Sequence, residues 1–150
     1  MNETMNRTKP ALVACARRGV LLGLLLALSA CATTGAVARA ARAQQNTAVV
    51  LAFLDMAYNK HQVEQAFKLY VGPQYRQHDP RLTREGSPDI RLEVKRTVSQ
   101  GDLVAVHARY TRAAVQSVVD LFRLEHGKIV EHWDVVQDIP EQSAHDNSMF

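Results

Sequence analysis

The chain has 150 residues, 22% of them charged and 47% hydrophobic, which is enough for one small domain with a single core. Its formal net charge of +3 comes from residues 1–30, which hold four basic residues and one acidic residue. Taking these from the 18 basic and 15 acidic residues of the whole chain leaves 14 of each, so charge gives no reason to expect a nucleic acid partner.

The N-terminus is typical of an export signal. Basic residues precede an uncharged apolar run at residues 19–30, which is too short to span a bilayer comfortably. The run ends in Leu-Ser-Ala-Cys at residues 28–31 and resembles a bacterial lipobox, which implies cleavage before Cys31 and a lipid on its sulfur. We therefore expect a signal peptide at 1–30, a lipid anchor on Cys31 and a periplasmic protein, with Ala32 favouring the outer membrane. The alternative is a soluble periplasmic or secreted protein that is cut later, at Ala41-Arg42-Ala43.

The expected domain begins after a tether at residues 31–45 and extends over residues 46–141, followed by a C-terminal tail at 142–150. Apolar residues recur at helical spacing over 46–59, with Asn46 as the expected N-cap, and again over 63–70. Val71-Gly72-Pro73 is expected to end the second helix. A short extended segment follows at 74–80, because Pro80 disfavours helix in the residue before it.

Alternating apolar and polar residues predict strands at 89–98, 103–111, 116–125 and 127–138, the last two joined at His126-Gly127. Helices followed by strands predict an α+β domain, with a curved antiparallel sheet and the helices over its concave face. Such a sheet leaves a cone-shaped cavity in which small ligands bind. Strand parity would place Glu131 and Trp133 on one face, and His132 and Asp134 on the other.

The sequence contains no His-Glu-x-x-His motif, no Cys/His metal spacing, no phosphate-binding loop and no Gly-x-Ser-x-Gly elbow. We therefore expect neither a metal nor a cofactor. Acid–base work by polar groups in an apolar cavity remains, because desolvation raises the pKa of a carboxylate. The side chains available for it are Tyr75, His78, His107, Glu131 and Asp134, unless the charged residues of the last strand simply face solvent.

Several stretches together resemble the SnoaL-like polyketide-cyclase branch of the nuclear transport factor two-like superfamily. They are YRQHDP (75–80), GDLVAVHARY (101–110), FRLEHGKIVEHWDVVQDIPE (122–141) and the terminal DNSMF. The resemblance covers residues 46–150 and implies a cystatin-like α+β cone with a deep pocket, often dimeric through the sheet. It also implies aldol-type ring closure by a carboxylate acid/base, although many relatives have no known activity.

Carried over residue by residue, the resemblance matches His78, Trp133, Asp134 and Gln137, and we expect Asp134 and His78 to be the catalytic residues. The expected substrate-binding set is Trp133, Gln137, Tyr75, Glu131 and His107. Many relatives have Asp where this chain has Gln137; if the family's base sits there, Asp134 serves from a different direction or the chain has no base. The chain also has a shortened helix region after Gly86, where relatives place a helix that closes the pocket.

Three functions stay open at this point. The first is a pocket enzyme that performs acid/base chemistry on a carbonyl compound, of aldol, cyclase or isomerase type. The second is a non-catalytic, lipid-anchored module that binds a small hydrophobic ligand or a partner. The third is a domain completed by a partner chain, and a homodimer is the expected assembly.

Overall fold

The computed structural model describes residues 35–80 and 90–150. The chain divides into two compact units, residues 1–38 and 39–150. Of the first unit only residues 35–38 are described, and they are helical. The expected signal peptide, Cys31 and the shortened region after Gly86 lie outside the described residues. The fold and the site belong to the second unit, which begins ahead of the predicted domain start at Asn46.

The first helix of the second unit, α1, covers residues 39–59 and ends in a π-helical turn, Asp55–Asn59. The prediction that Asn46 caps this helix was wrong, because the chain is already helical at residue 35. Alanine, arginine and glutamine upstream are strong helix formers, so the helix extends through them. Asn46 is instead 5% exposed, and its side-chain amide donates to the carbonyl of Gly101 at 3.1 Å.

The second helix, α2, covers Val63–Tyr70, as the apolar spacing predicts. Strand β1 (Val71–Gln77) follows it without a loop, three residues earlier than predicted. Gly72 lies close to Val130, because an added Cβ would stand 3.2 Å from Cγ1 of that residue. The small residue therefore lets this edge strand approach its neighbour.

Four further strands follow: β2 (Arg91–Gln100), β3 (Leu103–Thr111), β4 (Val115–Glu125) and β5 (Lys128–Asp138). Together with β1 they form a five-stranded curved sheet in the order β1-β5-β4-β3-β2. Strands β2 to β5 make an antiparallel meander, but β1 pairs in parallel with β5, so the sheet is mixed. The predicted α+β class, with the helices packed on a curved sheet, is confirmed.

The sheet has two faces with different surroundings. The inner face packs against α1 and α2, and its side chains alternate along each strand: Val104, Val106, Ala108 and Tyr110 on β3, Val118, Asp120 and Phe122 on β4, and His132, Asp134 and Val136 on β5. The rings of Phe53 and Phe122 meet edge to face at 6.1 Å across this interface. The outer face carries Val98, Val119 and Val135, which are 70%, 44% and 72% exposed.

Within the described ranges, no helix has the length and apolar character to cross a membrane.

Candidate functional site

A chain of polar side chains lies buried on the inner face, where apolar residues surround it. Its centre is Asp120 on β4, 1% exposed, and His132 on β5, also 1% exposed. His132 Nε2 lies 3.0 Å from Asp120 Oδ1, and the Tyr110 hydroxyl donates to Asp120 Oδ2 at 3.0 Å. Phe122 stacks on the His132 ring with a centroid separation of 4.5 Å. Burial of a carboxylate is costly unless it is paired in this way.

Gln77, at the end of β1, fixes the direction of this chain of hydrogen bonds. Its Oε1 accepts from the backbone N–H of His78 at 2.8 Å and of Asp79 at 3.0 Å. The amide nitrogen must therefore point the other way, and it lies 3.1 Å from His132 Nδ1. Because this nitrogen can only donate, His132 Nδ1 accepts and the ring proton sits on Nε2, facing Asp120.

Two tyrosines connect Asp120 to a cavity. Burial, and then the Asp120 charge, raise the pKa of Tyr110 well above its ordinary value, so its hydroxyl stays protonated and donates to the carboxylate. Tyr58 of α1 hydrogen bonds Tyr110, and their ring centroids are 5.3 Å apart. Since Tyr110 has one proton to give, Tyr58 donates to the Tyr110 oxygen. Tyr58 also lines a cavity of about 560 Å³.

Asp134 lies on the same face as this chain of polar groups. It is directly opposite Asp120 in the β4–β5 register, and it is half-buried where Asp120 is fully buried. Opposed residues of an antiparallel pair have Cβ atoms about 5 Å apart. Of the predicted substrate-binding residues, Tyr75 also belongs to the inner face: its ring meets Phe67 of α2 at 5.7 Å.

His78 lies on the outer face, in a different group of side chains. Its ring stacks on Trp133 at 4.6 Å, and its Nε2 is 3.2 Å from Glu131 Oε1. Arg123 Nε donates to the other Glu131 oxygen at 2.5 Å. The Arg123 hydrogen bond, reinforced by His78, holds the pKa of Glu131 below its usual range despite partial burial. The sheet therefore separates His78 from Asp134, the other predicted catalytic residue.

The remaining predicted site residues are also on the outer face. His107 Nε2 is 3.0 Å from the Ser117 hydroxyl, and the His107 ring stacks on Phe150, the last residue of the tail, at 5.8 Å. Gln137 is exposed and borders a shallow cavity formed mainly by the tail. Within residues 35–80 and 90–150, no three His, Cys, Asp or Glu side chains are grouped so that they could hold a metal ion.

Comparison with known proteins agrees with this architecture. The sequence profile of the SnoaL-like polyketide cyclase family matches residues 33–142. The chain belongs to this family. No curated protein is significantly similar to it in sequence.

Solved structures show the same SnoaL-like fold at low sequence identity. A proposed ketosteroid isomerase from Kribbella flavida has 17% identity and a TM-score of 0.57, over 69% of this chain and 85% of that one. A proposed SnoaL-like polyketide cyclase from a Jannaschia species has 21% identity and a TM-score of 0.54, over 63% and 86%. AclR, a proposed hydroxylase from Streptomyces galilaeus, has 21% identity and a TM-score of 0.53, over 63% and 90%.

The sequence interpretation did not select the central residues of this SnoaL-like site. Asp120 stands between Val118 and Phe122, in the alternation that predicts inward-facing residues of β4. His132 shares a parity with Asp134 in β5. A carboxylate at an inward position of an apolar strand is a signal for a buried polar site, because an unpaired charge is not tolerated there. Tyr58 and Gln77 are joined to it only by the tertiary fold.

Proposed function

We propose that this SnoaL-like protein transfers protons on a small carbonyl compound, in a reaction of aldol, cyclase or isomerase type, with Asp120 as the proton acceptor. One observation carries the proposal: Asp120 is buried, yet the hydrogen bonds of Tyr110 and Tyr58 connect it to a residue of the cavity wall. A cavity of about 560 Å³ falls within the range of small-molecule sites.

The proposed step moves one proton from the ligand to Asp120 along three oxygens. A C–H bond next to the ligand carbonyl breaks, and its proton goes to the Tyr58 oxygen. The Tyr58 proton passes to Tyr110, and the Tyr110 proton passes to Asp120 Oδ2. The ligand becomes an enolate and Asp120 becomes neutral. Reversal of the three transfers returns a proton to the ligand, at the same or another carbon.

His132 is a positioning residue in this scheme. Its Nε2–H donates to Asp120 Oδ1, which keeps Oδ2 directed at Tyr110. Gln77 in turn fixes the His132 ring, so the acceptor is held in place before a ligand arrives. Groups that are oriented in advance, in a site of low dielectric, favour charge transfer because they need no reorganisation.

The direct test is exchange of the α-protons of ketones and β-keto esters for deuterium, followed by proton NMR in D2O. Asp120→Asn and Tyr58→Phe are each expected to slow exchange by about 100-fold or more. Asp138→Asn is the matched control, because Asp138 is exposed at the end of β5 and bonded to Gln116 at 2.7 Å. Tyr58→Phe keeps the ring, so it separates catalysis from folding if Asp120→Asn unfolds. Full exchange in a folded Tyr58→Phe protein would disprove the relay.

Asp134 stays a proposed base, because it is the more accessible carboxylate of this face. If Asp134→Asn stops exchange while Asp120→Asn does not, proton transfer proceeds through Asp134 and not through the tyrosines. His78, on the opposite face, has no part in the proposed step.

A second candidate function is ligand binding without catalysis. It is favoured by the saturation of the buried groups: both ring nitrogens of His132 and both oxygens of Asp120 already have partners. In that case carbonyl ligands would raise the melting temperature of the protein without any α-proton exchange. The homodimer, the lipid anchor on Cys31 and the periplasmic location also remain proposals.

A further inference from the structure

We infer that the cavity beside Tyr58 takes a carbonyl compound that also bears a carboxylate, and that Arg91 is the residue that recognises this anion. This inference rests on the proposed function, since it names the substrate class of the same site. Its starting point is the wall of the cavity, where residues from α1, from the loop after it and from β2 meet: Tyr58, Asn59, His61, Arg91, Leu92 and Glu93.

One wall of the cavity is held rigidly. The Asn59 side chain accepts the backbone N–H of Leu92 at 3.0 Å, which ties the end of α1 to the start of β2. Leu92 is 5% exposed and belongs to the core. The neighbouring Arg91 therefore projects from a fixed backbone position, which favours a defined binding geometry.

Arg91 is the cation of this wall that has no ion pair within the described residues. Glu93 lies beside it, but its carboxylate is engaged by Lys95, with Nζ 2.6 Å from Oε1. The Lys95 hydrogen bond, with smaller attractions from Arg109 and Arg91, lowers the pKa of Glu93, so this carboxylate stays ionised. Among the described residues Arg91 makes no direct ion pair, and its guanidinium can bind a carboxylate through two parallel hydrogen bonds.

The charges of the site indicate how the ligand is oriented. The negative charge of Asp120 lies behind Tyr110 and Tyr58, at one side of the cavity. An anionic group of the ligand is repelled there and attracted by Arg91. This places the carboxylate of the ligand at Arg91 and directs its carbonyl end towards Tyr58. His61, exposed and in a left-handed conformation with φ of 55°, adds a second nitrogen donor at the rim.

The test uses two probes of the same shape, 6-hydroxy-2-naphthoate and its neutral primary amide, with affinities measured by calorimetry. The wild-type protein is expected to bind the naphthoate about tenfold more tightly than the amide. Arg91→Gln should remove this preference, and Arg91→Lys should keep part of it. Arg96→Gln is the matched control, since Arg96 is also an exposed arginine of β2 but does not line the cavity and contacts His107. The Leu92 amide resonance should shift on binding, and that of Val119 should not.

Equal affinity for the two probes, no effect of Arg91→Gln, or no binding of the naphthoate at millimolar concentration would each overturn this inference. None of these outcomes affects α-proton exchange, which tests the proposed function separately. Conversely, an Asp120→Asn protein that still exchanges α-protons, but binds the naphthoate through Arg91, would refute the relay and leave the anion site standing.

Discussion

Gln77 and His132 join the two parallel strands β1 and β5 side chain to side chain, with the amide nitrogen 3.1 Å from Nδ1. Because Oε1 of Gln77 accepts two backbone N–H groups, its amide nitrogen is the donor and His132 Nδ1 the acceptor. We expect the imidazole proton of His132 on Nε2 in the folded protein, as measured by nitrogen-15 NMR of labelled histidine. A proton on Nδ1 would contradict the derived order of donors and acceptors.

Gln77→Met should destabilise the protein by about 1–3 kcal/mol, because it removes the donor to His132 Nδ1 and the side-chain acceptor of two backbone N–H groups. The N–H of His78 keeps its second acceptor, the carbonyl of His132. The measurement is urea unfolding, together with the histidine spectrum of the variant. Gln74→Met, on the same strand at an exposed position, is the control and should change the free energy of unfolding little.

Phe122→Ala should cost about 3–5 kcal/mol, since the ring is 1% exposed and packs against both Phe53 and His132. Urea unfolding of the variant and the wild type measures this loss, provided that both show the same dependence of the unfolding free energy on urea concentration. Val135→Ala, on the outer face of β5, is 72% exposed and should stay within about 0.5 kcal/mol of the wild type. A small effect at Phe122 would mean that the inner face is not the core.

Glu131 should give the protein an acid-sensitive component of stability. Its pKa is lowered in the folded state by Arg123, so the contribution is present above the ordinary pKa of 4.5 and is lost as the pH falls through the folded value. The Glu131→Gln protein should therefore be less stable than the wild type at about pH 7, and the difference in unfolding free energy should disappear in acid. Glu141→Gln, at an exposed position just before the tail, is the control and should change the free energy of unfolding little.

The turn between β4 and β5 has two consecutive positive φ angles, 49° at His126 and 74° at Gly127. An added Cβ at Gly127 meets nothing within 4 Å, so the cost of Gly127→Ala is conformational and should be about 1–2 kcal/mol. His126→Asn should be neutral or stabilising, because asparagine tolerates this region better than most residues. Thermal unfolding of both variants checks the prediction.

The proposed lipid anchor predicts radioactive palmitate labelling of the protein in bacterial cells. Cys31→Ser should abolish the label, whereas Cys15→Ser should retain it, because Cys15 lies in the segment that cleavage removes. A wild-type protein that takes no label would argue for the later cleavage at Ala41-Arg42-Ala43 and a protein without this anchor. Labelling that survives Cys31→Ser would contradict Cys31 as the lipid site.

Much of the fold can be read from local sequence patterns. The helical spacing of apolar residues predicts α2, and the alternation of apolar and polar residues predicts β2 to β5. Both patterns are local, because each reflects which side chains of one element are buried. The parallel pairing of β1 was not predictable in this way, since Val71 meets Ile129 only after the intervening chain has folded. The helix upstream of Asn46 was not predictable, because a run of small and polar residues is equally typical of a flexible tether.

The site was harder to predict than the fold. Parity correctly grouped His132 with Asp134, but family motifs drew attention to His78, Glu131 and Trp133, which lie together on the other face. The connection from Asp120 through Tyr110 to Tyr58 joins residues of β4, β3 and α1. No local pattern contains such a contact, because the curvature of the sheet and the packing of α1 create it.

The parallel pairing of β1 with β5 also bears on the order in which the molecule can be assembled. Strand β1 leaves the ribosome early, but its hydrogen-bonding partner begins at Lys128 and is made almost last. Until then Gln77 has no His132 to hold, and the first strand has no neighbour. The contacts of His132 with Asp120 and Gln77 are therefore the last part of the buried polar chain to form during synthesis. A chain released before β5 lacks His132 and the strand that holds β1 in the sheet.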